Sequence, residues 1–270
     1  MKKIVLSLLA ASSLMMADND LIMATTTSTA DTGLLDAMVP AYKAKTGVDV
    51  KFTAVGTGAA LKLGENCDAD VLFVHSPKVE KEFVEKGFGV ERKPVMYNDF
   101  VLIADKSVAD KFKGKDLKAA FELIKAENIP FFSRGDKSGT DNKEKGIWKN
   151  VAGGVPEKEG FYKQTGQGMI ATINAAAEQK GVTLTDRGTY IKYEANAKGN
   201  PDLVIVNEGE KDLKNFYSVI AVNPKHCAKT DIENADKFIK WVISEEGQKF
   251  IGDFKLLDKP LFTPDANTRK

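Results

Sequence analysis

The sequence predicts an α/β protein of two lobes, with the second lobe inserted into the first. Three observations lead to this. The first half alternates strand-like and helix-like runs, the pattern of a parallel sheet covered by helices. Two long strand-like runs, 95–104 and 216–222, bracket a second alternating block, so the chain leaves one lobe and returns to it through a double crossover. The length of 270 residues fits two domains of roughly 100–150 residues each.

Residues 20–24 open the first strand. Residues 32–45 read as a helix, with Leu34, Leu35, Met38 and Tyr42 on one face and a stop at Thr46-Gly47. Pro40 inside that run predicts a kink or a break. Residues 48–55 alternate as a strand, Gly56-Thr57-Gly58 reads as a turn, and 59–65 as a short helix. Residues 70–74 form an apolar strand, followed by a helix over 77–86. Pro77 begins that helix, where a missing N–H costs little. The second block holds a helix at 117–126, a strand at 129–132, helices near 143–151 and 169–180, and a strand at 203–206. After the return strand come one long helix, 234–250, and a tail. No internal repeat is visible.

The amino terminus has the layout of a secretory signal peptide. Met1-Lys2-Lys3 is basic, and residues 4–14 are apolar apart from serines. The stretch is short for a stop-transfer helix, and no Cys lies near it to carry a lipid. The boundaries expected are therefore 1–17 for the signal, 18–100 with 216–270 for lobe I, and 101–215 for lobe II. The mature chain should be soluble and periplasmic. The sequence has 39 basic and 38 acidic side chains, and losing Lys2 and Lys3 leaves 37 against 38. So balanced a protein has no broad attraction to nucleic acid or anionic lipid. Any anion must be held by local geometry. Cys67 and Cys227, the only cysteines, can form a disulfide in an exported chain. With His75 and His226 they lack metal-ligand spacing apart from the adjacent His226-Cys227, and no cofactor motif is present.

The most informative segment is Ser133-Arg134-Gly135-Asp136-Lys137-Ser138-Gly139-Thr140, between a strand-like and a helix-like run. Glycines let backbone N–H groups approach a ligand, and a helix start leaves N–H groups unpaired at its positive end. Arg134 adds a planar fork of donors suited to an oxyanion. This reads as half of a small-anion clamp. A capped turn, with Asp136 pairing Arg134 and Ser138 or Thr140 capping the helix, accounts for the same residues. Thr25-Thr26-Thr27-Ser28-Thr29 ends the first strand, where ligands gather in open α/β sheets. Capping needs one hydroxyl and not five, so ligand contact is the better reading. Gly56-Thr57-Gly58 ends the second strand, and Thr165-Gly166-Gln167-Gly168 precedes another helix. His75-Ser76 ends the third strand. A hydrolytic Ser–His pair would need a partner acid and a nucleophile turn, so Ser76 is read as a helix cap.

Taken together, these motifs resemble a family. They run from Thr25-Thr26-Thr27-Ser28 through Val55-Gly56-Thr57-Gly58, Asp68-Ala69-Asp70-Val71, Val74-His75 and Tyr97-Asn98-Asp99-Phe100. They continue through the Arg134 loop, Leu184-Thr185-Asp186-Arg187-Gly188-Thr189-Tyr190 and Pro260-Leu261-Phe262. The chain is similar over nearly its whole mature length to the tungstate-binding proteins of bacterial ABC importers, the Tup type. The resemblance implies a type II periplasmic-binding-protein fold closing on one oxyanion, tungstate or molybdate. It implies a monomer that serves a membrane permease and its ATPase, and no catalysis. By position, lobe I contacts come from Thr25, Thr26, Thr27, Ser28 and Thr57, and lobe II contacts from Arg134, Ser138, Gly139 and Thr140. The segment 184–190 is assigned to helix capping, by Thr185 or Asp186, and to core. Cys67 stands where the family pattern leads one to expect Gly. Phosphate, sulfate or molybdate binding, a secreted phosphoester hydrolase, and an interaction domain without a ligand are the competing readings.

A tetrahedral dianion without protons calls for donors only, whereas phosphate keeps a proton and needs an acceptor. Asp136 and Asp141 are the carboxylates near the loop, so their orientation decides between the two.

Overall fold

The structure is a computed structural model describing residues 20–266 and 268. The leader expected at 1–17 lies outside the described residues. The first unit alternates β1 (Asp20–Thr26), α1 (Thr27–Ala30), α2 (Leu34–Thr46), β2 (Asp49–Val55), α3 (Thr57–Glu65), β3 (Val71–Val74) and α4 (Pro77–Glu85). Strand β4 (Gly89–Asp105) then leads to α5 (Lys106–Ala109), α6 (Leu117–Glu127), β5 (Phe131–Ser133), α7 (Gly139–Val151), β6 (Tyr162–Gln164) and α8 (Met169–Glu178). The chain continues through β7 (Val182–Asp186), α9 (Arg187–Asn196) and β8 (Leu203–Asn207). It returns through β9 (Lys214–Val222) to α10 (Ile232–Val242) and α11 (Glu245–Asp253).

The strand order is β2-β1-β3-β9-β4-β7-β5-β6. Strands β2, β1 and β3 are parallel, as are β7, β5 and β6, and β9 and β4 run antiparallel between the two sets. Strand β4 is the structural axis. Its first part pairs with β9, ending with Asp99 opposite Lys214, and from Phe100 onward it pairs with β7. Each set carries its own apolar packing. Leu21, Met38, Tyr42 and Phe238 are buried on one side, and Phe121, Phe131 and Trp148 on the other. Arg187 spans the junction, bonding Asp99 through Nε at 2.5 Å and Nη2 at 2.6 Å. Among the described residues no helix is long and apolar enough to cross a membrane.

Several local expectations are corrected. Helix α2 runs unbroken through Pro40. Gly56 is not in a turn but is the residue before α3, so Thr57 and Gly58 form the first turn of that helix. The long helix expected at 234–250 is two helices, because the Ser244 side chain accepts from the Gly247 N–H and starts a new one. Strands β6 and β7 were not anticipated. Strand β7 reads Val-Thr-Leu-Thr-Asp with its first four residues buried, so its threonines serve a strand interior where their type equally suits a helix start. Cys67 adopts φ 64°, the left-handed region that favours glycine, and is disulfide-bonded to Cys227. His226 lies beside the pair, but both sulfurs are used in the bond.

Candidate functional site

Parallel strands place their carboxyl ends on one side, and here two such sets present theirs to a common cavity of about 120 Å³. Thr26 ends β1 and Thr27 and Ser28 follow it, Gly56 and Thr57 follow β2, and His75 follows β3. From the second set come Arg134 after β5, then Ser138, Gly139 and Thr140 opening α7, and Asp186 ending β7. Asn98 and Phe100 of β4 and Asn215 and Tyr217 of β9 complete the lining where the crossover strands pass. Two wider grooves, of about 890 and 380 Å³, share lining residues with it.

The cavity is rich in donors. Helices α3 and α7 both begin at it, so the unpaired N–H groups of their first turns and the positive ends of their dipoles converge there. The Ser138 hydroxyl oxygen accepts from Asp141 N–H at 3.2 Å as the cap of α7, and its hydrogen has the Asp136 carboxylate as a partner in the absence of ligand. Thr26 likewise accepts from Thr29 N–H at 3.2 Å. Arg134 Nε and Nη2 donate to Asp136 Oδ2 at 3.0 and 2.6 Å. Nη1 makes no bond within the protein among the described residues. Burial alone would raise the Asp136 carboxyl, but bonds from Ser138 and Arg134 outweigh it and hold it below the ordinary value. The capped-turn reading of this loop therefore holds. It is a capped turn, and the turn presents its cation to the cavity.

The loop is shaped from behind. Buried Asp141 accepts from Gly135 N–H at 3.1 Å and Lys137 N–H at 3.0 Å, two residues at φ 63° and 61°. Thr165 N–H and Gly166 N–H bond to the carbonyls of Ser133 and Arg134 at 2.9 and 2.8 Å. The segment 165–168 is thus a brace for the loop, and only its Gly168 reaches a flanking groove. Ser133 Oγ and Tyr162 Oη both donate to Glu144. Burial pushes the Glu144 carboxyl up to about 7, although both hydroxyl bonds oppose the shift.

The sign of the pH effect follows. The folded protein keeps a proton on Glu144 between 4.5 and about 7, where the unfolded chain has lost it. Stability from this group is full below 4.5 and declines as pH rises through about 7, by on the order of 3 kcal/mol. Glu144→Gln keeps a neutral acceptor for Tyr162, so its melting temperature should gain on the parent's as pH rises through that window. A gap that stays constant with pH in paired thermal melts would rule this out.

At the cavity's other wall His75 stacks on Tyr217, with ring centroids 4.8 Å apart. Its Nδ1 lies 3.0 Å from Asn215 Oδ1, and its Nε2 lies 2.9 Å from Ser28 Oγ and 3.1 Å from Thr26 Oγ1. Burial holds the His75 pKa below its ordinary value, against the raising effects of Asn215, Glu80 and Asp186. Asp186 caps α9, accepting from Thr189 N–H at 2.8 Å and Thr189 Oγ1 at 2.7 Å through its two oxygens.

The PBP superfamily domain matches residues 16–246. The tungstate-binding protein TupA of Campylobacter jejuni is 68% identical over 243 residues, 90% of each chain. The chain belongs to the TupA family. A solved TupA structure from Desulfovibrio alaskensis G20 is 56% identical and superimposes with a TM-score of 0.89, covering 92% of this chain and 99% of that one. The structure described as the tungstate ABC transporter from Geobacter sulfurreducens is 46% identical, with a TM-score of 0.75 over 88% of this chain and 100% of that one. The TupA likeness agrees with the type II periplasmic-binding-protein fold expected from the motifs.

Within this TupA-family chain, eight of the nine residues anticipated from sequence line the one cavity, namely Thr26, Thr27, Ser28, Thr57, Arg134, Ser138, Gly139 and Thr140. Thr25 does not. It is fully buried and its hydroxyl donates to the Phe73 carbonyl at 2.8 Å, because strand alternation turns it away from its neighbour Thr26. Ser76 makes no side-chain capping bond, and its partner in the sequence reading, His75, is the one at the site. Asn98, Asn215 and Tyr217 were missed as well. The motif Tyr97-Asn98-Asp99-Phe100 was noticed, but nothing local marks Asn98 as a cavity residue.

Proposed function

We propose that the cavity is an oxyanion site and that the chain captures tungstate, with molybdate as the close competitor, for an ABC importer. The observation that carries this reading is the donor set. Hydroxyls, two helix starts and one guanidinium meet in a single small space, while the carboxylates are occupied. Neither Asp136 nor Asp141 lines the cavity; the first holds Arg134 and the second holds the loop. Asp186 lines it, but both its oxygens accept from Thr189. The Arg134 loop therefore offers a proton-bearing anion such as phosphate no carboxylate for its hydrogen, and Asp186, with lone pairs left on both oxygens, is the one carboxylate lining the cavity among the described residues. The names of the relatives support tungstate as the ligand.

In this reading the lobes are 18–100 with 216–270 and 101–215. Lobe I supplies Thr26, Thr27, Ser28 and Thr57, and lobe II supplies Arg134, Ser138, Gly139 and Thr140. Contacts from both sides make ligand affinity greatest in the closed form, so the ligand favours closure. The closed protein is the species recognised by a membrane permease with its ATPase, and it acts in the periplasm as a monomer.

One observation favours a second reading. Ser28, His75 and Asn215 form a chain with the connectivity of nucleophile, base and orienter. The third member is a neutral amide where a carboxylate would stabilise the imidazolium. That places hydrolysis behind binding.

Calorimetric titration of the mature protein against tungstate, molybdate, sulfate and phosphate tests the proposal, with p-nitrophenyl phosphate turnover assayed alongside. Tungstate should bind most tightly and raise the melting temperature, by about 4 kcal/mol of added stability at a thousandfold excess over Kd. Tight phosphate binding, or ester turnover abolished by Ser28→Ala, would transfer the cavity to another function.

A further inference from the structure

We infer that His75 takes up a proton as the anion enters, reversing the hydrogen bond between His75 and Ser28 so that Ser28 can donate to the anion. The inference rests on the oxyanion reading of the cavity and extends it to the proton linkage of capture.

The direction of each bond can be deduced. Asn215 Nδ2 donates to Asn98 Oδ1 at 2.9 Å and to Tyr217 Oη at 3.2 Å. Asn215 Oδ1 is therefore the atom facing His75 Nδ1 at 3.0 Å. An amide oxygen only accepts, so Nδ1 carries the ring hydrogen. In the neutral ring, Nε2 is then a bare lone pair, 2.9 Å from Ser28 Oγ. Thr26 Oγ1 is also 3.1 Å from Nε2 but has Thr29 Oγ1 nearer, at 2.6 Å, so the single hydrogen of the closer Ser28 hydroxyl is the one assigned to Nε2 when no anion is bound.

A dianion without protons changes the count. Ser28 cannot donate to the ring and to the anion at once. With His75 neutral, one acceptor in a closed site loses its donor. With a proton on Nε2 the chain runs one way: His75 donates to Ser28 Oγ, and Ser28 donates to the anion. The added proton comes from solvent, and no other bond forms or breaks. The imidazolium charge then lies one hydroxyl away from the dianion.

The groups around the ring decide when this happens. Glu80 of α4 is fully buried and already paired with Arg92 and Ser218. Asp186 of β7 is held by Thr189. Tyr217 of β9 stacks on the ring, and burial keeps its hydroxyl protonated. From the opposite side come Arg134 and the start of α7, where a Cβ at Gly139 would lie 3.7 Å from His75 Cε1. These last two are positive and oppose charging. In the absence of anion, burial and these positive groups prevail and the ring stays neutral, in line with its lowered pKa. A dianion among the same groups supplies the missing counter-charge. Affinity for tungstate therefore rises as pH falls from the ring's bound-state pKa towards its free-state pKa, and is flat outside that window.

The test is calorimetry of tungstate binding from about pH 6.5 to about pH 9, in paired buffers of different ionisation enthalpy. The parent should take up as much as about one proton per anion, with Kd weakening by up to about tenfold per pH unit. His75→Gln, which keeps a permanent donor, should bind without uptake and with a flat profile, its fold checked by its melt without ligand. A parent with no buffer-dependent heat and a flat profile overturns the inference while leaving the oxyanion site standing. Undiminished uptake by His75→Gln also overturns it. Absence of tungstate binding at every pH by the folded parent overturns the oxyanion reading and the inference together.

Discussion

Replacing Arg134 with alanine should weaken tungstate binding by roughly 30- to 5,000-fold and leave the unliganded fold almost unchanged. The first figure reflects removal of one partner from an enclosed, hydrogen-bonded charge pair, which costs about 2–5 kcal/mol. The second follows from what Arg134 does without ligand. Its side chain bonds only Asp136 within its own loop and keeps 20% of its surface in solvent, an arrangement worth up to about 1 kcal/mol. Arg134→Lys should fall between parent and alanine, because the charge survives and the planar fork does not. Titration calorimetry gives the affinity and thermal melting gives the stability. Parent-like affinity in the alanine variant would remove Arg134 from the site.

Asp141→Ala should fail differently, losing both stability and affinity. Asp141 is 1% exposed, and its carboxylate gathers Gly135 N–H, Lys137 N–H and the Lys145 ammonium. Without it, two backbone donors lose their acceptor at residues already in left-handed conformations. Breaking a buried pair of this kind costs about 3–5 kcal/mol, and the Arg134 loop loses the shape that points it at the cavity. Asp141→Asn, with one acceptor oxygen left, should lose less of both. Urea unfolding and tungstate titration of the same samples separate the outcomes. Lost affinity at parental stability would mean that Asp141 faces the ligand and not the loop, which would reopen phosphate.

Much of this architecture was legible because it depends on local patterns. Alternating strands and helices, and two long runs that later proved to be β4 and β9, were enough to anticipate the crossover. The loop around Arg134 was legible as a capped turn bearing a cation from its residue types alone, and its neighbours in space were not. The misses have physical causes. Thr25 and Thr26 are identical in type, and only the pleat decides that one hydroxyl faces Phe73 and the other the cavity. His75 depends on Asn215, 140 residues further on, so no window of sequence contains the pair that fixes its tautomer. Strand β7 is short and half threonine, and its strand character comes from burial between β4 and β5. Ser244 was overlooked because one helical periodicity continues across two helices.

The position of the bound anion is the decisive quantity. Diffraction at the tungsten absorption edge, from crystals of the protein grown with tungstate, locates the metal directly. One anomalous peak is expected inside the cavity, between residues 26–28 and the Arg134 guanidinium. A peak bound elsewhere on the protein, with that cavity holding only water, would contradict the oxyanion reading.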